Sequence, residues 1–280
     1  MIFYKNMQFD NSYHLLPADF YKAQLPDKIK TPKLRVFNKK LAGTLSLELD
    51  LSEEELAKIF SGNKLLKGSR PIALAYAGHQ FGHFVPSLGD GRAVLLGEVF
   101  DKKKQRFDVQ LKGSGKTFFS RRGDGLYPLG PAIREYIVSE AMHYLKVPTS
   151  RSLALITTGE FVQRETLMPG AIFTRVAQSH IRIGTFEYFA ARGDYKNLKI
   201  LADYSIDRHY PICKNHKKPY LSFFRKTLQN QAKLVSSWLS IGFIHGVMNT
   251  DNTAISGQTL DFGPCAFIDK YQKNAVFSFI

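Results

Sequence analysis

The residues whose types and order could carry out chemistry lie near the end of the chain, in the run His245-Gly246-Val247-Met248-Asn249-Thr250-Asp251-Asn252 and the later triplet Asp261-Phe262-Gly263. In phosphoryl-transfer sites a loop begins at a His, carries an Asp two residues on and an Asn seven residues on, and precedes an Asp-Phe-Gly turn whose Asp holds magnesium. His245 and Asn252 keep the seven-residue spacing. Val247 stands where the Asp is expected and cannot accept a proton, and Asp251 offers a substitute carboxylate. An Asp-Phe-Gly triplet alone says little, because Asp-x-Gly is common turn chemistry. Its weight comes from order: a long apolar helix, the His-to-Asn loop, a short β-like hairpin, then the turn.

Such a site also needs a lysine on a strand, paired with a glutamate on the following helix, to hold phosphates. Lys112 closes the β-like run 106–112, and Glu135 falls in the first turns of a helix expected to start near Pro131. The two are expected to pair across a sheet. Runs 92–99 and 106–112 are joined by the polar stretch 101–105 and read as an antiparallel hairpin. Further strands are expected at 153–158, 161–164 and 171–176. In the helix from Pro131, the residues Ile133, Ile137, Ala141, Tyr144 and Leu145 recur on one face. A longer helix over 221–241 carries the stripe Leu221, Phe224, Leu228, Val235, Trp238 and Leu239, a pattern expected of a core-facing side. Strands dominate the first part and helices the second, so the expected class is α+β, with a mainly antiparallel sheet lobe and a helical lobe. The expected domains are an irregular leader over 1–45, punctuated by Pro17, Pro26 and Pro32, a sheet-rich lobe over 46–178 and a helical lobe over 179–280.

With 280 residues, 44% hydrophobic and 13% aromatic, the chain can bury a core large enough for two lobes. No run approaches the roughly 18 apolar residues that span a bilayer, and the first ten residues lack a basic segment followed by an apolar one, so a cytoplasmic protein with no membrane partner is expected. Cys213 and Cys265 are too few for a disulfide framework and form no zinc pair. The net charge of +15 is spread over clusters such as Lys102-Lys103-Lys104, Arg121-Arg122 and 214–218, with no nucleic-acid-binding motif beside them. No specific nucleic-acid partner is expected; a basic cleft for a polyphosphate explains part of the excess equally well. Three decoys fall away. Gly113-Ser114-Gly115-Lys116-Thr117 has Leu111 where a phosphate loop needs Gly. His79 and His83 flank Gln80 rather than the Glu of a zinc helix, and read as a packed or hydrogen-bonded pair. Gly89-Asp90-Gly91 lacks a third Gly, since position 94 is Val94.

The stretches 76–82 (Tyr-Ala-Gly-His-Gln-Phe-Gly), 88–93 (Leu-Gly-Asp-Gly-Arg-Ala), 110–115 (Gln-Leu-Lys-Gly-Ser-Gly), 121–125 (Arg-Arg-Gly-Asp-Gly) and 245–252 together closely resemble the selenoprotein O family, over about residues 74–269. The resemblance implies a two-lobed, protein-kinase-like fold that binds ATP in an inverted orientation and transfers AMP, not phosphate, to hydroxyl side chains of protein substrates. By position it implies ATP contacts at Gly89, Gly91, Arg92, Lys112, Asp124, Gly125, Arg175 and Arg182, with Glu135 and Asp261 completing the nucleotide site. It also implies metal ligation by Asn252 and Asp261 and proton acceptance by Asp251. These roles are chemically sensible. The glycines admit phosphate close to the backbone, the basic residues match a triphosphate, and the Asn and Asp oxygens suit Mg2+ or Mn2+. Two other functions stay open at this point, a phosphoryl-transferring kinase and an ATP-binding pseudokinase scaffold; Val247 speaks against ordinary kinase chemistry. The chain stops seventeen residues after Gly263, with an apolar ending over 274–280, and the family's members are longer. The expectation is an N-terminal portion with an incomplete helical lobe that binds ATP weakly, transfers little AMP and exposes apolar surface on its helical side.

Overall fold

Two apolar runs separated by a polar turn lie at the centre of an antiparallel sheet. The computed structural model describes residues 9–47, 50–270 and 272–277. Along the chain come β1 (Tyr21–Ala23), β2 (Lys33–Phe37), α1 (Lys39–Thr44), α2 (Glu53–Phe60), β3 (Ile72–Leu74), β4 (Gly78–Gln80) and β5 (His83–Val85). They are followed by β6 (Ala93–Phe100), β7 (Arg106–Lys112), β8 (Tyr127–Pro128), α3 (Leu129–Tyr144), β9 (Arg151–Gln163) and β10 (Leu167–Ala177). The last part holds α4 (Ile183–Ala190), α5 (Tyr195–His209), α6 (Pro219–Ser240), β11 (Phe243–Ile244) and β12 (Ala266–Phe267). The described residues divide into two units, one of residues up to Ala75 with 88–140 and 150–179, the other of 76–87, 141–149 and the residues from His180 onward.

In the first unit the strand order is β1-β3-β6-β7-β10-β9-β2, with β8 also on β10, and every pairing is antiparallel. The β6–β7 hairpin expected from sequence is present. Asp101 Oδ1 accepts from the N–H groups of Lys103 (2.8 Å) and Gln105 (2.7 Å), and Lys104 takes a left-handed conformation, so a single carboxylate closes the turn. One core cluster sets Leu56, Ile59 and Phe60 of α2 against Val109, Leu111, Ile156 and Ile172. Ser52 caps α2 by accepting from the Glu55 N–H at 3.2 Å, and three glutamates occupy its first turn, where the helix dipole favours negative charge. A separate cluster joins Tyr127, Ala132, Leu155, Ala171 and Phe173. The stretch read as an irregular leader contains β1, β2 and α1; Pro17, Pro26 and Pro32 fall outside them, where a missing N–H removes no ladder bond.

Helix α3 forms as expected, with Pro131 in its first turn. Its apolar face, however, is the outer one: Ile137 is 59% exposed, and Ile133, Tyr144 and Leu145 are exposed too. The buried positions are Ala132, Glu135, Ser139 and Met142. Polar groups can occupy that side because they are partnered, Ser139 by Ser152 (Oγ–Oγ 2.5 Å) and Glu135 by the ion pairs below.

In the second unit α6 corrects the expectation of a core-facing stripe. Trp238 is buried, but Phe224 (64%), Leu228 (59%) and Leu239 (64%) are exposed, as is Leu221, while Val235 is half-buried. The inward face is Phe223, Thr227, Leu234 and Trp238. Phe223 is drawn in by the rings of Phe186 (5.8 Å) and Tyr210 (5.5 Å), and Trp238 by Phe243 and a hydrogen bond from its Nε1 to Thr259 Oγ1 at 2.8 Å. Two overlapping apolar stripes share this helix, and partner rings decide which one is buried. Among the described residues no helix is long and apolar enough to cross a membrane.

Candidate active site

Alternation along β7 puts Gln110 and Lys112 on the same side of the sheet. Lys112 Nζ lies 2.7 Å from Glu135 Oε2, both side chains buried, so the pairing expected from sequence is present. Tyr127 adds a second donor to the same oxygen, its OH at 2.7 Å, and its ring lies 4.8 Å from Lys112 Nζ and 5.0 Å from the Arg92 guanidinium. Glu135 Oε1 takes Arg175 at 3.4 Å. Arg175 and Gln110 are register partners on β10 and β7, and Arg175 donates to Gln110 Oε1 at 2.7 Å. Gln110 in turn donates from Nε2 to Asp90 Oδ2 at 3.0 Å, where the Leu74 N–H also donates at 3.1 Å. A buried polar line therefore runs Asp90–Gln110–Arg175–Glu135–Lys112–Tyr127. In low dielectric each member of such a line raises the stakes of the others.

Asp90 belongs to the loop that holds Gly89 and Gly91. Gly89 adopts φ +58°, and a Cβ there would lie 2.2 Å from the Phe119 ring, so only glycine fits. Ser120 Oγ donates to the Gly91 carbonyl (2.5 Å) and Thr117 Oγ1 to the Asp90 carbonyl (2.6 Å), fixing the loop's path. Asp124 is engaged elsewhere. Arg164 donates to both its oxygens, at 2.7 and 3.0 Å, and the Leu126 N–H donates at 2.9 Å. The Arg164 hydrogen bonds, helped by that N–H, hold the Asp124 carboxyl below its ordinary range. Gly125 beside it takes φ +73°, packed on the Gly115 backbone.

In the second unit, His245 is a framework residue. Its Nε2–H donates to the Leu260 carbonyl (2.9 Å), its Nδ1 accepts from the Val247 N–H (3.4 Å), and its ring stacks on Trp238 at 5.3 Å. Phe262 is fully buried against Phe243, which anchors the Asp-Phe-Gly turn. Asp261 has φ +64° and its Oδ2 accepts from Arg182 NH1 at 2.7 Å. The same NH1 donates to the Asp251 carbonyl, and the Arg182 guanidinium lies 4.6 Å from the Tyr76 ring centre. Arg182 thus ties the loop to the turn. Asp251 Oδ1 accepts from the His79 N–H at 3.0 Å. Asn252 Nδ2 donates to the Val247 carbonyl at 3.1 Å, which orients the amide so that Oδ1 is the atom a cation would use.

No group of three or more His, Cys, Asp and Glu placed to hold a metal ion by itself occurs among the described residues. The donors at Asn252 and Asp261 still fit Mg2+ or Mn2+, because such ions are commonly held by one or two protein oxygens with water and phosphate completing the shell. A cation at Asp261 would share the carboxylate with Arg182. Arg175 and Arg182, expected at phosphate, are both buried and both engage carboxylates.

Sequence reading did not single out Gln110 or Tyr127. Gln110 is two residues from Lys112 and could have been found by alternation; nothing in the sequence marked Tyr127. The His79–His83 pair is not packed together: His79 Nδ1 is 3.3 Å from Thr250 Oγ1 and its ring meets Phe84, whereas His83 is exposed.

A strand lysine salt-bridged to a helix glutamate beside a mainly antiparallel sheet, with a His-to-Asn loop and an Asp-Phe-Gly turn further along, defines an α+β protein of kinase-like build. The chain belongs to the family described as Protein adenylyltransferase SelO, which it matches over residues 4–279. It is 60% identical over 272 residues to Protein nucleotidyltransferase YdiU of Rhizobium rhizogenes, covering 97% of this chain and 54% of that protein. It is 58% identical over 274 residues to the protein of the same name from Maridesulfovibrio salexigens, covering 98% and 56%. The chain thus spans about half the length of the curated relatives it matches. A solved structure of ROP2 from Toxoplasma gondii, described as a virulence factor with a protein-kinase fold and no enzymatic activity, aligns at a TM-score of 0.31 and 12% identity over 69% of this chain and 55% of that one, a likeness too low to bear on the fold.

Proposed function

We propose that this chain carries the nucleotide-handling part of a protein adenylyltransferase, moving AMP from ATP to the hydroxyl of a Ser, Thr or Tyr on a protein substrate. The observation that supports it is the buried line around Glu135, which holds Lys112 and Arg175 in fixed positions within a family of that description. Gly89 and Gly91 let phosphate oxygens approach the backbone, and Arg92, Lys112, Arg175 and Arg182 balance the charge of the triphosphate and of departing pyrophosphate. Asp124 and Gly125 border the nucleotide, Arg164 keeping the carboxylate charged. Asn252 and Asp261 would hold Mg2+ or Mn2+, which neutralises phosphate charge when bound. Asp251 accepts the substrate hydroxyl's proton as its oxygen bonds to the α-phosphorus and the bond to the β-phosphate oxygen breaks. Such transfers depend more on positioning than on base strength.

The nucleotide contacts proposed fall mainly in the stretch 46–178 and the metal and proton-transfer residues in 179–280, while the stretch 1–45 supplies the end strands β1 and β2 of the sheet. The setting proposed is the cytoplasm, with proteins rather than membranes or specific nucleic acids as partners. Incubation with ATP labelled separately at the α and γ phosphates tests the reading. Label from the α phosphate on protein supports AMP transfer; γ label alone means a kinase, and no label on protein means a nucleotide-binding scaffold.

A further inference from the structure

The hairpin β4–β5 is fastened to the loop that carries Asp251. The His79 N–H donates to Asp251 Oδ1 at 3.0 Å, and Asn249 Nδ2 donates back to the His79 carbonyl at 2.9 Å. His79 Nδ1 lies 3.3 Å from Thr250 Oγ1, which itself donates to Glu187. Gly78 packs so closely that a Cβ there would fall 2.5 Å from both Cβ and Oδ1 of Asp251. A Cβ at Gly184 would meet the Ala77 carbonyl at 2.1 Å and the Asp251 Cα at 3.4 Å, so α4 also packs tightly on this backbone and leaves it little room to shift for an added methyl group.

A carboxylate on a short turn samples several χ1 and χ2 values unless something selects one. Here a backbone N–H holds one oxygen and a side-chain-free residue fills the space beside it. We propose that Gly78 and His79 are positioning residues, whose main chain locks Asp251 in a single rotamer with Oδ1 occupied, so that Oδ2 takes the proton. This rests on the reading of Asp251 as proton acceptor. The strand conformation of Gly78–Gln80 also excludes a helical zinc site at His79 and His83.

The test uses Gly78→Ala in the 280-residue chain, alone and combined with Asp251→Asn, read by single-turnover transfer of α-labelled AMP and by ATP affinity. Misplacement of a reacting group by about 1 Å can slow a reaction on the order of 10²-fold. Gly78→Ala should slow transfer by about that factor with ATP affinity unchanged, and should add nothing in the Asp251→Asn background. Equal losses in both backgrounds would overturn the proposal, because a general structural lesion would not depend on Asp251. A second readout does not need activity. The 13C carboxyl resonance of Asp251, identified by its loss in Asp251→Asn, should move in Gly78→Ala; an unmoved resonance refutes positioning. If the wild-type chain transfers no AMP, the functional reading fails and this resonance alone decides the positioning claim. Asn249→Ala removes the bond to the His79 carbonyl without adding an atom, and should shift the same resonance if Gly78→Ala does not fold; no shift there refutes the proposal.

Discussion

In Glu135→Ala, the buried cations Lys112 and Arg175, whose side chains are 8% and 1% exposed, lose the carboxylate they share, and the Tyr127 hydroxyl loses the closer of its two acceptors. Removing one partner of a buried ion pair destabilises by about 3–5 kcal/mol, because the remaining charge is left uncompensated. The Tyr127 hydroxyl keeps the Pro131 carbonyl as an acceptor at 3.3 Å, so it adds little to that loss. A net loss of about 3–5 kcal/mol is expected, a large part of the roughly 5–15 kcal/mol that stabilises a typical domain. Glu135→Gln keeps the shape and acceptor and should lose clearly less. The assay is urea unfolding followed by circular dichroism. With m near 2 kcal/mol per molar, the Glu135→Ala midpoint should fall by about 2 M at unchanged m. A loss under about 1 kcal/mol would mean that Lys112 and Arg175 are solvated, and the buried line from Asp90 to Tyr127 would be wrong.

Acid should weaken the protein through paired carboxylates. Burial pushes the Glu140 carboxyl up, but the two Arg151 hydrogen bonds, both 2.8 Å, with the Ser152 N–H and Asn38, outweigh it and hold the net value below the ordinary range. A folded-state value below the unfolded one, about 4.3, means stability that is present above that pH and lost as pH falls through the folded value. Arg151→Ala should therefore flatten the acid limb of urea stability against pH, and an unchanged limb would remove the pair from it. On α6, Phe223→Ala should lose about 3–5 kcal/mol, whereas Leu228→Lys should change stability by no more than about 0.5 kcal/mol. The reverse order in thermal unfolding would invert the assigned face. The double variant Phe224→Lys/Leu228→Lys should also bind less of a hydrophobic dye than wild type, since both side chains are exposed; equal dye fluorescence would count against an exposed α6 face.

What could be read from the sequence was local or ordinal. The β6–β7 hairpin was legible because alternation and a polar turn coincide, and the Lys112–Glu135 pair because strand and helix follow one another in the expected order. The buried faces of α3 and α6 were not. Periodicity finds an apolar side, but on α3 the polar side is buried because Glu135 and Ser139 have partners there. On α6 the rings of Phe186 and Tyr210 select Phe223 over its neighbour Phe224. The Arg175–Gln110 contact depends on the register of β10 against β7, which no spacing within either strand encodes. Nor does any local signal bring Gly78 against Asp251, which are far apart in sequence.

The most direct test is calorimetric titration of ATP with and without Mn2+ into wild type, Lys112→Met and Asp261→Ala. Expected are Mn2+-dependent binding by wild type, and a loss of at least about tenfold, or 1.4 kcal/mol, in each variant, with Asp261→Ala abolishing the Mn2+ dependence. Unchanged Mn2+-dependent affinity in Asp261→Ala, or ATP binding indifferent to Lys112, would contradict a nucleotide and metal site built on these residues.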